Sequence, residues 1–198
     1  MIDLQDRLQQ HRIMLGDECF KQFQTFGEEL LEWNKIHNLT GAKCMESVLE
    51  NIFDSLYPLK FIDEFESCMD IGSGGGFPAL PLAIAKPQSQ FFLIEPRIKR
   101  ASFLQNISVQ LGLKNVKVRS MRIEEVSISE VNNIALITSR AVMDARNLIA
   151  LSRKFLQSDG YFLFYKGANF RQEVPNMSVE ECFMREDRIY YYKSGCDV

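Results

Sequence analysis

Several things are scarce in this chain of 198 residues, and each scarcity closes off a class of protein. Five cysteines (Cys19, Cys44, Cys68, Cys182 and Cys196) are scattered without a CxxC pair or any spacing that suits zinc. They read as reduced thiols in core or surface positions, as in a cytoplasmic protein, rather than as a disulfide framework. With only two histidines, His11 and His37, no metal site is expected, and either reads as a surface or capping residue. No apolar run approaches the roughly eighteen residues of a membrane-crossing helix, so no membrane role is expected. The opening MIDLQDRLQQHR is too polar for the apolar core of a signal peptide. A basic surplus is also missing. A formal net charge of −3 argues against a general nucleic-acid binder, while leaving room for local basic patches.

What is present suits a folded domain. Hydrophobic residues at 46% and charged ones at 25% give a chain of this length a sizeable core. Between Asp17 and Ile36, the apolar Phe20, Phe23, Phe26, Leu30, Leu31 and Trp33 fall at helical spacing. HNLTG then reads as a turn, and Met45, Val48, Leu49, Ile52, Phe53 and Leu56 mark a second amphipathic helix stopped at Pro58. Residues 1–64 are expected to form an N-terminal helical cap, packed as one compact unit on a domain spanning 65–198. In that second part the pattern becomes strand, glycine turn, helix. SCMDIG, QFFLIE, VKVRS, NIALITSR, GYFLFYK and RIYYYK read as strands, and PALPLAIAK, KRASFLQNISVQLG and VMDARNLIALSRKFL as helices. The expected fold class is α/β, a mainly parallel sheet with helices on both faces. Such sheets bind ligands beyond the carboxyl ends of their strands, where the strand order switches.

The glycine-rich stretch MDIGSGGGFPALPLAIA, Met69 to Ala85, falls at the first of those strand ends. Glycine there permits positive φ and close approach of a ligand to the backbone. Gly74, Gly76 and Ala79 match GxGxxA, so the motif by itself leaves a dinucleotide pyrophosphate possible. Asp70 stands just before the first glycine, where its carboxylate would repel a pyrophosphate and attract a cation. S-adenosylmethionine carries a sulfonium and an amino group and no phosphate. Glu95 closes the second strand, where its two oxygens can accept both hydroxyls of a ribose. Glu95 serves either cofactor; Asp70 favours S-adenosylmethionine.

DIGSGGGFPALPLAI, followed by LIEPRIKRASFL, resembles the bacterial methyltransferases of the glucose-inhibited division protein B family, which modify N7 of a guanine in 16S ribosomal RNA. Five further elements match in order: WNKIHNLT (33–40), FDSL (53–56), MRIEEV (121–126), SRA (139–141) and YKG (165–167). The resemblance implies a Rossmann-like class I S-adenosylmethionine-dependent methyltransferase fold with the N-terminal helical cap. It implies S-adenosyl-L-methionine as cofactor, S-adenosyl-L-homocysteine as product, and no metal. It also implies 16S rRNA within the small ribosomal subunit as partner, a cytoplasmic location and a monomer.

Carried over by position, the resemblance implies cofactor contacts at Gly72 and Phe77, with Ile123 and Glu124 beside the adenine. Asp70, Ser73, Gly74, Gly76 and Glu95 join them from the loop and strand-end reasoning. Arg140 is the one catalytic position, near the methionine end or the target base; its alternative role is a salt bridge within the loops. Arg97, Lys99, Arg100 and Lys166 are the candidate RNA contacts, and a solvated surface is the alternative for most basic residues. Family members usually carry a basic residue and a histidine where this chain has Glu50 and Asn51, so no RNA-contact or catalytic role is carried over to that helix, whose Asp54 and Ser55 either fasten the cap to the sheet or touch a ligand. Guanine N7 already presents an in-plane lone pair, so no general base is expected and catalysis rests on placement. Two other classes stay open: a methyltransferase for a small molecule or protein, and a non-enzymatic S-adenosylmethionine-binding protein.

Overall fold

The computed structural model describes residues 3–140, 142–167, 170 and 178–197; Ala141 of the SRA element lies outside them. Three helices open the chain: α1 (Leu4–Gln10), α2 (Asp17–His37) and α3 (Met45–Leu56). The short α1 escaped the sequence reading because only Leu4 and Leu8 are buried, too few to set a period. α2 ends at Asn38 in the left-handed region (φ 48°), a conformation asparagine tolerates. α3 runs into a 3-10 turn, Tyr57–Lys60, at Pro58.

The alternating part then follows: β1 (Ser67–Ile71), α4 (Ala79–Ala85), β2 (Gln90–Ile94), α5 (Ile98–Gln110), β3 (Val116–Arg119), β4 (Ile134–Arg140), α6 (Ala145–Ser152) and β5 (Leu156–Lys166). A hairpin of β6 (Cys182–Arg185) and β7 (Arg188–Ser194) closes the described chain. The seven strands lie in the order β3-β2-β1-β4-β5-β7-β6. β1 to β5 are parallel, β7 runs antiparallel to β5, and β6 antiparallel to β7. β6 is absent from the sequence reading. Its CFMR is short, and its pairing depends on a turn with Glu186 at φ 52° that sets Arg185 opposite Arg188.

Both sheet faces are apolar, as a covered parallel sheet requires. Along β5, Leu163 and Tyr165 enter one core while Phe162 and Phe164 enter the other. The first core takes α1 to α5, so Phe26, Val48 and Ile52 of the opening helices pack in the same cluster as Phe91 and Leu93 of the sheet. The second core takes α6 with Val126 and Val131. Among the described residues no helix is long and apolar enough to cross a membrane.

Candidate functional site

β1 has β2 on one side and β4 on the other, so the strand order reverses there. A cleft of ≈ 430 Å³ opens at that point, against Gly72, Ser73, Gly74, Phe77, Glu95 and Arg140, with Arg97 and Arg100 at its rim. The loop that forms its floor is shaped by backbone bonds. Gly72 N–H donates to the Ile94 carbonyl at 2.8 Å, and Gly72 (φ 72°) and Gly74 (φ 56°) take conformations that L side chains resist. Glu95, only 3% exposed, accepts from Gly74 N–H at 2.8 Å through Oε2 and from Arg97 N–H at 2.9 Å through Oε1. The carboxylate expected to meet a ribose therefore also staples the glycine loop to the start of α5, and each oxygen keeps a second lone pair.

Asp70 lies beneath this floor rather than on it. It is 1% exposed; Oδ1 accepts from the Thr138 hydroxyl at 2.7 Å, and Oδ2 is buried without a partner. Burial pushes its carboxyl up to about 6, against the downward pull of the Ser73 and Thr138 hydroxyls and the Arg140 charge. A buried carboxylate oxygen left without a donor is a rare and costly arrangement, and one that a ligand ammonium relieves. Gly76 does not line the cleft either. A Cβ there would meet Leu80 Cδ1 at 2.6 Å and Phe26 Cζ at 3.3 Å, so this glycine seats α4 against α2.

Arg140 ends β4 and lies over the Phe77 ring, 5.0 Å from its centroid. Its Nη1 donates to Asn51 Oδ1 at 3.0 Å and lies 3.5 Å from Asp54 Oδ2. Burial lowers its pKa and Asp54 raises it. The two roles expected for Arg140, cleft residue and salt-bridge partner, are held by the same side chain. The other expected positions scatter. Ile123 is buried in the second core, on a 3-10 turn beyond β3, and Glu124 beside it is exposed. Lys99 is exposed outside the cleft lining. Lys166, expected to contact phosphate, is 7% exposed, and its ammonium donates to the Met143 carbonyl at 2.8 Å.

With this geometry in place, similarity to known proteins narrows the reading. A family model described as rRNA small subunit methyltransferase G (GidB) matches residues 19–194. The chain belongs to this family. It is 71% identical to a Ribosomal RNA small subunit methyltransferase G of Helicobacter hepaticus, across 93% of this chain and 100% of that one. Its identity to the Helicobacter pylori (strain HPAG1) protein of the same name is 48%, covering 86% and 94% of the two chains. Among solved structures, an RNA methyltransferase from Salinibacter ruber in complex with S-adenosyl-L-homocysteine matches with a TM-score of 0.54 at 17% identity, covering 72% of this chain and 88% of that one. A SAM-dependent O-methyltransferase from Thermotoga maritima matches at 0.53 and 19%, covering 74% and 53%. At such identities the likeness is one of fold, the class I Rossmann-like methyltransferase fold.

S-adenosylmethionine is the methyl donor of a family with this fold, and the residues present fit it. An unpartnered Asp70 oxygen awaits a cation, a Cβ at Gly72 would run into Val142 on the cleft wall, and Glu95 offers acceptors at the end of β2. The structure adds a site element that sequence reasoning missed: Leu39, Thr40 and Gly41, between α2 and α3, line the cleft. Asn34 brackets them, accepting from Thr40 N–H at 2.9 Å and donating to the Ala42 carbonyl at 3.1 Å. The available signal was the WNKIHNLT match, read as a family mark without a place in the site. The departures from the family pattern also find places. Asn51 bonds Arg140, and Glu50 pairs with Arg7 at 2.7 Å and Arg185 at 3.0 Å. Burial pushes the Glu50 carboxyl up, but those two guanidinium groups carry it below the usual range.

Proposed function

We propose that this chain transfers the methyl group of S-adenosylmethionine to N7 of a guanine in 16S ribosomal RNA, with the small ribosomal subunit as substrate. Family membership makes it an S-adenosylmethionine-dependent rRNA methyltransferase. The reading of the acceptor atom rests on one observation. Among the described residues, Glu95 is the one carboxylate lining the cleft, both its oxygens accept backbone N–H groups, and no histidine, lysine, cysteine or tyrosine lines it. A nucleophile that must lose a proton finds no base there. Guanine N7 has no proton to lose.

The bound cofactor supplies an electrophilic methyl carbon on a sulfonium and leaves as S-adenosylhomocysteine. The chain's part is to bind, orient and exclude water. Asp70 answers the amino group from below, while Gly72, Ser73, Gly74 and Phe77 form the floor and Gly76 supports it. Glu95 takes the ribose, Ile123 and Glu124 flank the adenine, and Arg140 positions the reacting groups. Arg97, Lys99 and Arg100 meet RNA phosphates. They crowd the first turn of α5, which holds no acidic residue. Cations at that end oppose the helix dipole by about 0.3–1 kcal/mol each, a cost that a bound phosphate removes. Residues 1–64 act as a cap that lends Leu39 to Gly41 to the cleft of the 65–198 domain. The protein works as a cytoplasmic monomer.

The test uses small subunits that lack the modification, incubated with protein and S-adenosylmethionine, and N7-methylguanine mapped by reduction and strand cleavage. One new cleavage is expected. No cleavage, with S-adenosylhomocysteine binding intact by calorimetry, would move the substrate to another RNA, a small molecule or a protein.

A further inference from the structure

We propose that Asn51 and Asp54 of α3 are positioning residues: they hold the Arg140 guanidinium by Nη1, so that its other N–H groups donate to O6 of the target guanine while N7 stays clear. The proposal rests on the guanine substrate argued above. Arginine ordinarily grips guanine with two donors, one on O6 and one on N7. A free arginine at this cleft would cover the very lone pair that must attack the methyl carbon. Tying back Nη1 removes the Nη1–Nη2 fork and leaves the Nε–Nη2 edge, so the direction in which α3 holds the guanidinium decides whether its donors meet O6 alone or also cover N7.

The tether is built rather than incidental. Asn51 Nδ2 donates to the Ser47 carbonyl at 2.8 Å, which turns the amide so that Oδ1 faces Arg140 Nη1 at 3.0 Å. Asp54 is 2% exposed, and its Oδ1 is already taken by Tyr190 Oη (2.8 Å), Arg188 Nε (3.0 Å) and Arg185 Nη2 (3.4 Å). That leaves Oδ2 aimed at Arg140 from a carboxylate that cannot swing away. Tyr165 Oη donates to the Ser55 carbonyl at 2.7 Å and fixes α3 itself against β5. The Phe77 ring lies against the guanidinium, 5.0 Å from its carbon to the ring centroid. Every hydrogen bond described for the Arg140 side chain passes through Nη1.

The test compares Asn51→Ala, Asn51→Asp, Arg140→Ala and the Asn51→Ala/Arg140→Ala pair in single-turnover methylation of small subunits, with S-adenosylhomocysteine affinity and melting temperature measured alongside. Asn51→Ala is expected to slow methyl transfer about tenfold or more while affinity stays within about twofold. Asn51→Asp, which keeps the acceptor oxygen, should recover to within about threefold of the unchanged protein, and Asn51→Ala should add nothing once Arg140 is gone. A loss that persists in the Arg140→Ala background would reduce Asn51 to a structural tie and overturn the proposal. So would a matching loss of S-adenosylhomocysteine affinity, which would give Arg140 to the cofactor carboxylate. Failure of the substrate reading shows separately, as no transfer by the unchanged protein. The tether is then judged by nitrogen-15 NMR of the guanidinium. Distinct Nη1 and Nη2 signals that merge in Asn51→Ala support it, and signals that do not change overturn it.

Discussion

Asp70 couples folding to pH and, in the role proposed for it, to the cofactor. Its carboxyl is raised by burial to about 6, above the usual value near 4, so the folded chain holds this proton more tightly than the unfolded one. Stability from this group is therefore full below about pH 4 and falls as pH rises through about 6, by ~3 kcal/mol in all. Ser73, Thr138 and Arg140 favour the charged form and Glu95 opposes it. In the role proposed for Asp70, a ligand ammonium meets the carboxylate, so below about pH 6 the proton would have to leave first. S-adenosylhomocysteine affinity, followed by calorimetry from pH 5 to 8, should then weaken by about tenfold per pH unit below about 6. Asp70→Asn should flatten that profile, bind more weakly at pH 8, and melt higher than the unchanged protein when both are free of ligand at pH 8. A profile of unchanged slope in Asp70→Asn would place the titration on another group. The position of this aspartate before the glycines was legible in the sequence. Its unpartnered Oδ2 was not, because that depends on Thr138 of a neighbouring strand.

At the scale of the element, the glycine loop divides into positions with different jobs. Gly72 and Gly74 bend the floor, and nothing lies within 3.7 Å of a Cβ placed on Gly74. Gly72 would press a side chain into Val142, which is 40% exposed and able to give way. Gly76 would press one into Leu80 and Phe26, which are fully buried. Gly72→Val should therefore abolish S-adenosylhomocysteine binding, with a stability loss confined to the strain of a side chain at φ 72°, about 1–2 kcal/mol. Gly76→Val, at φ 98° and against a packed core, should lose roughly 2 kcal/mol or more of stability in urea unfolding. The reverse pattern would mean that the roles of the two glycines are exchanged. The sequence marks all of these residues as glycine alike, and only the packing of α2 against α4 separates them.

For the molecule as a whole, Asp54 is the joint between its parts. From α3 it reaches Arg140 at the end of β4 and Arg185, Arg188 and Tyr190 on the terminal hairpin. Removing the carboxylate leaves three half-buried guanidinium groups without it, a change that costs about 3 kcal/mol after allowance for their partial exposure. Asp54→Ala should lower the urea midpoint accordingly, and an unchanged midpoint would show the joint to be dispensable. Much of the architecture was legible beforehand. The apolar runs GYFLFYK and RIYYYK, the helical spacing from Phe20 to Trp33 and the strand–glycine–helix order of the opening motif are local patterns, and local patterns report how an element is covered. They brought Asp70, Gly72 and Glu95 to one strand-end region because a single β-α-β unit carries all three. Periodicity does not report which element does the covering. The short β6, the Leu39–Gly41 wall, the burial of Lys166 and the tie between Asn51 and Arg140 join segments distant along the chain. They were decided only when the helices that open the chain packed onto the sheet and the hairpin closed over their edge.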